Sequence, residues 1–297
     1  MTNASPLQPL RRQPLGSVVT PAHNEASVIR RCLDTLFEGL APGELDVVVV
    51  CNGCTDDTAS RASSSGHPVR VVELEAASKP AALRAGDATA TAFPRIYLDA
   101  DVLLSGSAAR VLLERLRGGA VAARPPIRYD SSGASAPVRS YYRARSRVPA
   151  VMGSLWGAGV YGLSEEGRSR FGVFPEVVVD DLWVDRLFDR GDLEIVDCAA
   201  VVVAVPRRTR DLIRLLRRTY RAKSEAAPDP NGRARRTMPS TLRDLGRLVA
   251  AGPGPALDAA TYGAFAAGAR LALALVQAAG NPAAGARWER NDSSRAG

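Results

Sequence analysis

The 297-residue chain is 46% hydrophobic, enough to bury a substantial core without disulfide or metal staples, as one large domain or one domain plus an appendage. Its formal net charge of +8 favours anionic partners: phosphates, nucleic acid or an anionic membrane surface. That excess is local, because Arg207 to Arg236 holds eleven basic residues against Asp211, Glu225 and Asp229, and the remainder is near neutral.

The first residues carry Pro6, Pro9, Arg11, Arg12 and Pro14 with no apolar run. They predict a disordered lead-in over 1–14, no signal peptide and a cytoplasmic protein. Val18-Val19-Thr20 then reads as a short strand, with Pro21 to Glu25 as the loop after it. Ala26 to Leu40 has helical apolar spacing, and Asp46 to Cys51 is a β-branched run suited to a strand buried on both faces. Asn52-Gly53 turns the chain into a helix over Thr55 to Ser64. A third strand follows at Val69 to Leu74, a third helix at Pro80 to Thr91 and a fourth strand at Arg95 to Leu98. This alternation predicts a parallel sheet covered on both faces, with ligands beyond the carboxyl ends of its strands.

The middle is less regular. Val111 to Leu116 reads as helix, Ala120 to Arg124 as strand, Pro125 to Pro137 as a polar loop and Gly153 to Gly162 as a glycine-rich stretch. Val201 to Val205 is the last clear strand. Arg210 to Lys223 is a basic amphipathic helix, Ala226 to Pro239 a linker, and Leu257 to Ala279 an Ala/Leu-rich helix interrupted by Arg270. That last helix reads as packed or interfacial, since Arg270, Gly263, Gly268 and many alanines lower its hydrophobicity. Cys32, Cys51, Cys54 and Cys198 form no disulfide framework, and no second Cys/His pair joins Cys51 and Cys54 as a zinc site.

Four polar stretches carry the chemistry. Thr20-Pro21-Ala22-His23-Asn24-Glu25-Ala26 follows the first strand, and Asn52-Gly53-Cys54-Thr55-Asp56-Asp57-Thr58 the second. Lys79-Pro80-Ala81-Ala82-Leu83-Arg84-Ala85-Gly86 opens the third helix, and Asp99-Ala100-Asp101 ends the fourth strand. Two carboxylates one residue apart can converge on Mg²⁺ or Mn²⁺, which take oxygen ligands and share substrate phosphates. Alone, such a tripeptide is equally a solvated turn.

In this order the motifs resemble family 2 glycosyltransferases of the GT-A fold, over roughly residues 15 to 205. The resemblance implies an α/β domain over 15–206 with a mostly parallel sheet, followed by a basic, helical region over 207–297. It also implies an inverting transfer from a nucleotide-diphosphate sugar to an acceptor hydroxyl. By position it assigns Pro21, Ala22, Glu25 and Asn52 to the nucleoside pocket, Asn52 standing where the family usually has aspartate. Lys79 would approach the phosphates, and Asp101 would hold Mg²⁺ or Mn²⁺, with Asp99 on the ribose or the metal's water shell. Asp180-Asp181 resembles the family's Glu-Asp pair, which makes Asp181 the expected base and Asp180 its neighbour or an acceptor-binding group. Trp156, Gly157, Gly159 and Trp183 would lie near donor and acceptor sugars, either Trp serving equally well as core.

His23 and His67 are the only histidines, so no late histidine is available to a metal. The Gln-x-x-Arg-Trp signature of processive relatives is absent, which argues against a polymer-extruding synthase. The basic helix could meet the leaving diphosphate, lie peripherally on the inner face of the cell membrane, or be a solvated face. A nucleotidyltransferase would carry a glycine-rich basic loop after the first strand, and a dehydrogenase GxGxxG. Neither is present. A nucleic-acid module would leave the acidic pairs unexplained, and a non-catalytic nucleotide-sugar binder remains an alternative.

Overall fold

The computed structural model describes residues 13–177, 179–224 and 238–278. The expected lead-in lies almost wholly outside the described residues, and so does the expected linker up to residue 237.

Strand and helix alternate through the first third of the chain. Strand β1 (Gly16–Ala22) precedes helix α1 (Ile29–Phe37), β2 (Leu45–Asn52) precedes α2 (Thr58–Ser63), β3 (Val69–Leu74) precedes α3 (Lys79–Thr89), and β4 (Arg95–Leu98) precedes α4 (Gly106–Arg117). The middle holds β5 (Ala122–Arg124), β6 (Ile127–Asp130), α5 (Ala136–Arg145), α6 (Pro149–Met152), β7 (Val160–Leu163) and α7 (Glu165–Ser169). After α8 (Asp180–Arg186), β8 (Leu193–Ile195) and β9 (Val201–Ala204) come α9 (Thr209–Ser224), α10 (Met238–Ala250) and α11 (Pro253–Ala278).

The main sheet has the order β3-β2-β1-β4-β7-β5-β8, and only β7 runs antiparallel to its neighbours. Val18, Val19 and Val47 to Val50 are sealed from solvent, as a continuous apolar run between two helical layers requires. Helix α1 buries Ile29, Cys32, Leu33 and Leu36, a stripe at helical spacing. The chain enters β2 on one side of β1 and β4 on the other. The connections therefore diverge at the β1/β4 junction and leave a crevice at its carboxyl end.

Two expectations need correction. Pro21 and Ala22 are not loop residues but continue β1, paired with Val50 and Cys51 of β2. The ladder between β1 and β4 ends at Val19, so proline's missing N–H falls where one edge has no strand partner. Nor is Pro125 to Pro137 simply a polar loop, because β6 lies within it and pairs in parallel with β9. Its Arg-Tyr-Asp composition conceals the strand from any apolar pattern.

The C-terminal helices build a second core with α5 and α6. Leu212 and Leu216 of α9, Leu248 of α10 and Tyr262, Ala266 and Ala269 of α11 pack with Val138, Tyr141, Tyr142 and Val151. Asp258 of α11 pins this layer to α5 by accepting from Ser140 Oγ (2.6 Å) and Arg143 Nη2 (2.7 Å). Arg270, which interrupts the apolar pattern of α11, lies 4.7 Å from the Tyr220 ring of α9.

Candidate functional site

At the ends of β1 and β2, neutral hydrogen bonds lock two loops together. Asn52 Nδ2 donates to Ala22 O (2.9 Å), and Asn24 Oδ1 accepts from Thr55 N (2.7 Å). Glu25 N donates to Thr58 Oγ1 (2.7 Å), whose hydroxyl donates to Asp56. Asn52 is fully buried, and its Oδ1 has no hydrogen-bond partner. Glu25 is nearly as deep. Thus Pro21, Ala22, Glu25 and Asn52 do come together, with Asn52 beneath the loops as a tie between them.

Charge governs the neighbouring end. Ser78 caps α3 by accepting from Ala81 N (3.2 Å), and Pro80 pre-sets the first turn, so Lys79 is held at the helix start. Gly86 lets α3 press against β1, since a Cβ there would stand 2.3 Å from Val19 Cγ1. Lys79 Nζ consequently reaches both Asp99 Oδ1 (2.6 Å) and Asp180 Oδ1 (2.7 Å). Burial by itself would lower the lysine's pKa, but Asp180, Asp99 and Asp181 outweigh it and raise it.

Asp180 is buried, and its Oδ2 accepts from Tyr161 Oη at 3.1 Å. Asp181 is less enclosed and accepts only from Gly157 N, at Oδ2 (2.7 Å), among the described residues. Burial, then the charge of Asp180, pushes the Asp181 carboxyl up to about 7. Burial likewise raises Asp99, although Lys79 opposes it. Gly159 fits beside Asp99 at φ +65°, and its carbonyl accepts from Asp99 N (2.8 Å). A Cβ there would lie 2.6 Å from Val102 Cγ2.

These groups line one small pocket together with Pro21, Leu83, Tyr97, Leu98 and Tyr161. Lys79, Asp99, Gly159, Asp180 and Asp181 therefore form one site. Asp101 is exposed and outside this lining. Among the described residues no three His, Cys, Asp or Glu side chains converge on a metal position. The Lys79 ammonium stands between two of the carboxylates instead.

Trp183 is not a sugar platform: it is 4% exposed and packs edge-on against Phe171 in the core. Trp156 is half-buried, with the Arg145 guanidinium carbon 4.7 Å from its ring. No arginine of α9 lines the pocket, and Arg210 and Arg214 point into solvent. Sequence reasoning missed Tyr161 and Arg145. Tyr161 faces Tyr97 directly across β4 and β7, a pairing visible only once the register is known. Arg145 ends a helix that the polar middle of the chain concealed.

The family model for glycosyl transferase family 2 matches residues 17–158. No curated protein has a significantly similar sequence. Among solved structures, the mannosyltransferase of Pyrobaculum calidifontis in complex with GDP-Man and Mn²⁺ is 23% identical, with a TM-score of 0.58 over 89% of this chain and 84% of that one. Glucosyl-3-phosphoglycerate synthase of Mycobacterium tuberculosis, in complex with Mn²⁺, UDP-Glc and glycerol 3-phosphate, is 24% identical, with a TM-score of 0.48 over 70% of this chain and 77% of that one.

Proposed function

We propose that the chain, which has the GT-A fold and matches the glycosyl transferase family 2 model over residues 17–158, is an inverting, metal-assisted member of that family using a nucleotide-diphosphate sugar, with Asp181 as its base. One observation carries the reading. Asp181 lies in the pocket with one oxygen fixed by Gly157 N, the other without a hydrogen bond among the described residues, and a pKa near neutrality. A carboxyl so poised accepts a hydroxyl proton at physiological pH.

In the proposed step the acceptor oxygen forms a bond to the anomeric carbon while the bond from that carbon to the diphosphate oxygen breaks. The diphosphate leaves with the electron pair, and Asp181 takes the hydroxyl proton. Attack from the face opposite the leaving group inverts the centre. Tyr161 and Lys79 hold Asp180, and with it the start of α8, in place. Asn52 and the β1/β2 loop lock shape the nucleoside end from beneath.

The donor set fits a hard divalent cation. Asp99 in the pocket and the exposed Asp101 two residues on present carboxylate oxygens of the kind such a cation prefers. Asp101 and Asp99 would hold Mg²⁺ or Mn²⁺, which supplies charge neutralisation for the leaving diphosphate. The test is calorimetric titration with UDP, GDP and their sugars, with and without Mn²⁺. Binding of none of them overturns the reading.

A peripheral membrane contact is a second element of the proposal. Leu242 and Val249 of α10 and Leu257, Leu271 and Leu275 of α11 are more than half exposed, beside the arginine-rich α9. No helix among the described residues is long and apolar enough to cross a membrane. Such a surface suits lying on anionic lipid. Co-sedimentation with phosphatidylglycerol vesicles but not phosphatidylcholine vesicles is the expected result.

A further inference from the structure

Two arginines among the described residues are more than nine-tenths buried, and they are treated very differently. Arg124 meets a carbonyl at each of its three nitrogens: Nε donates to Ser154 O (2.6 Å), Nη1 to Pro125 O (2.7 Å) and Nη2 to Met152 O (2.6 Å). Arg145, 8% exposed, has no such set. Its Nε donates to Tyr129 Oη (2.8 Å), and its guanidinium carbon lies 4.7 Å from the Trp156 ring and 5.8 Å from that of Tyr129. No carboxylate or carbonyl among the described residues pairs with its terminal nitrogens.

Those nitrogens are beside the reaction centre. A Cβ built on Gly157 would lie 3.1 Å from Arg145 Nη2, and the amide of the same glycine donates to Asp181. Guanidinium and base therefore flank one residue, at most about 8 Å apart by standard backbone geometry. Aromatic faces offset part of the desolvation of a buried cation, but its terminal donors have no hydrogen-bond partner among the described residues. The planar fork matches two oxygens of a phosphoryl or carboxylate group. The adjoining pocket holds three carboxylates against the single ammonium of Lys79, which would repel an anionic substrate unless a further fixed cation received it.

Resting on the glycosyltransferase reading with Asp181 as base, we infer that Arg145 binds an oxyanion on the acceptor, so that the acceptor carries a phosphoryl or carboxylate group near its attacking oxygen. The oxyanion could belong to a small phosphorylated metabolite or to a lipid phosphate. Trp156, stacked beneath Arg145, supplies a readout independent of turnover.

The experiment follows Trp156 fluorescence, with Trp156→Phe as the blank, in protein saturated with Mn²⁺ and nucleoside diphosphate so that the donor-phosphate positions are filled. 3-Phosphoglycerate, glycerol 3-phosphate and a short polyprenyl phosphate in micelles are titrated against glycerate, glycerol and polyprenol. The expected result is a saturable response to a phosphorylated member at least tenfold tighter than to its dephosphorylated counterpart. The soluble and micellar arms identify which source supplies the anion. Arg145→Gln should weaken that response at least 30-fold while the nucleotide Kd changes less than threefold. Equal binding of a neutral counterpart, anion binding unchanged in Arg145→Gln, or no response to any member overturns the inference. If Arg145→Gln loses nucleotide binding through misfolding, Arg145→Lys decides: weakened anion binding with intact nucleotide binding supports the inference, and unchanged anion binding overturns it. Failure of the wild-type protein to bind any nucleoside diphosphate would instead remove the glycosyltransferase reading.

Discussion

The two ends of the crevice are built by different physics. The β1/β2 end is held by neutral hydrogen bonds from short side chains to backbone, through Asn24, Asn52 and Thr58. The end formed by β4, β7 and the start of α8 is held by one ammonium among carboxylates. Neutral locks of this kind are each worth about 1 kcal/mol and barely respond to pH. A buried charge cluster is worth several times more when broken and depends on which groups are ionised. The β1/β2 end is therefore a fixed mould, and the end formed by β4, β7 and α8 an electrostatic device whose state follows which of its groups are ionised.

The largest expected effect breaks the charged end. Asp181→Asn should lower kcat by about a thousandfold, the scale of a lost general base, with nucleotide affinity unchanged by calorimetry. Loss of affinity with normal turnover would move the base elsewhere.

Lys79→Met comes next. It leaves Asp99 and Asp180 without their counter-charge and should cost about 3–5 kcal/mol in chemical denaturation. An unchanged denaturation midpoint would mean that the cluster relaxes freely.

The pH profile is subtler. Burial and Asp180 raise the Asp181 carboxyl to about 7, so the ionised, proton-accepting form is lost as pH falls below that value. The value of kcat/KM should rise about tenfold per unit below pH 7 and then level. In Lys79→Met, removal of the neighbouring positive charge should move the midpoint upward. A flat profile from pH 5 to 8 would remove Asp181 as the base.

Smallest is the neutral end. Thr58→Val removes the acceptor of Glu25 N and should cost about 1–2 kcal/mol, with a severalfold rise in donor KM and no change in the pH midpoint. A shifted midpoint would show that the two ends are electrically coupled after all.

Much of this was legible in residue order. The buried valine runs of β1 and β2, the helical stripe of α1 and the polar stretch after each strand announce a parallel sheet with its site at the carboxyl ends. Lys79, Asp99, Asp180 and Asp181 were all identifiable as charged residues at element starts or ends, and the structure brings them into one pocket.

What tertiary structure alone decided were matters of partnership. Trp156 and Trp183 are equivalent in sequence, yet Trp183 faces Phe171 in the core and Trp156 lies under Arg145. Arg124 and Arg145 are one residue type at similar depth, yet one meets three carbonyls and the other leaves its terminal donors toward Gly157 and Asp181. Sequence periodicity tells which face of an element is buried, because burial follows local apolar spacing. It does not tell which distant residue a buried polar group meets, because that depends on strand register and on how separate elements cross.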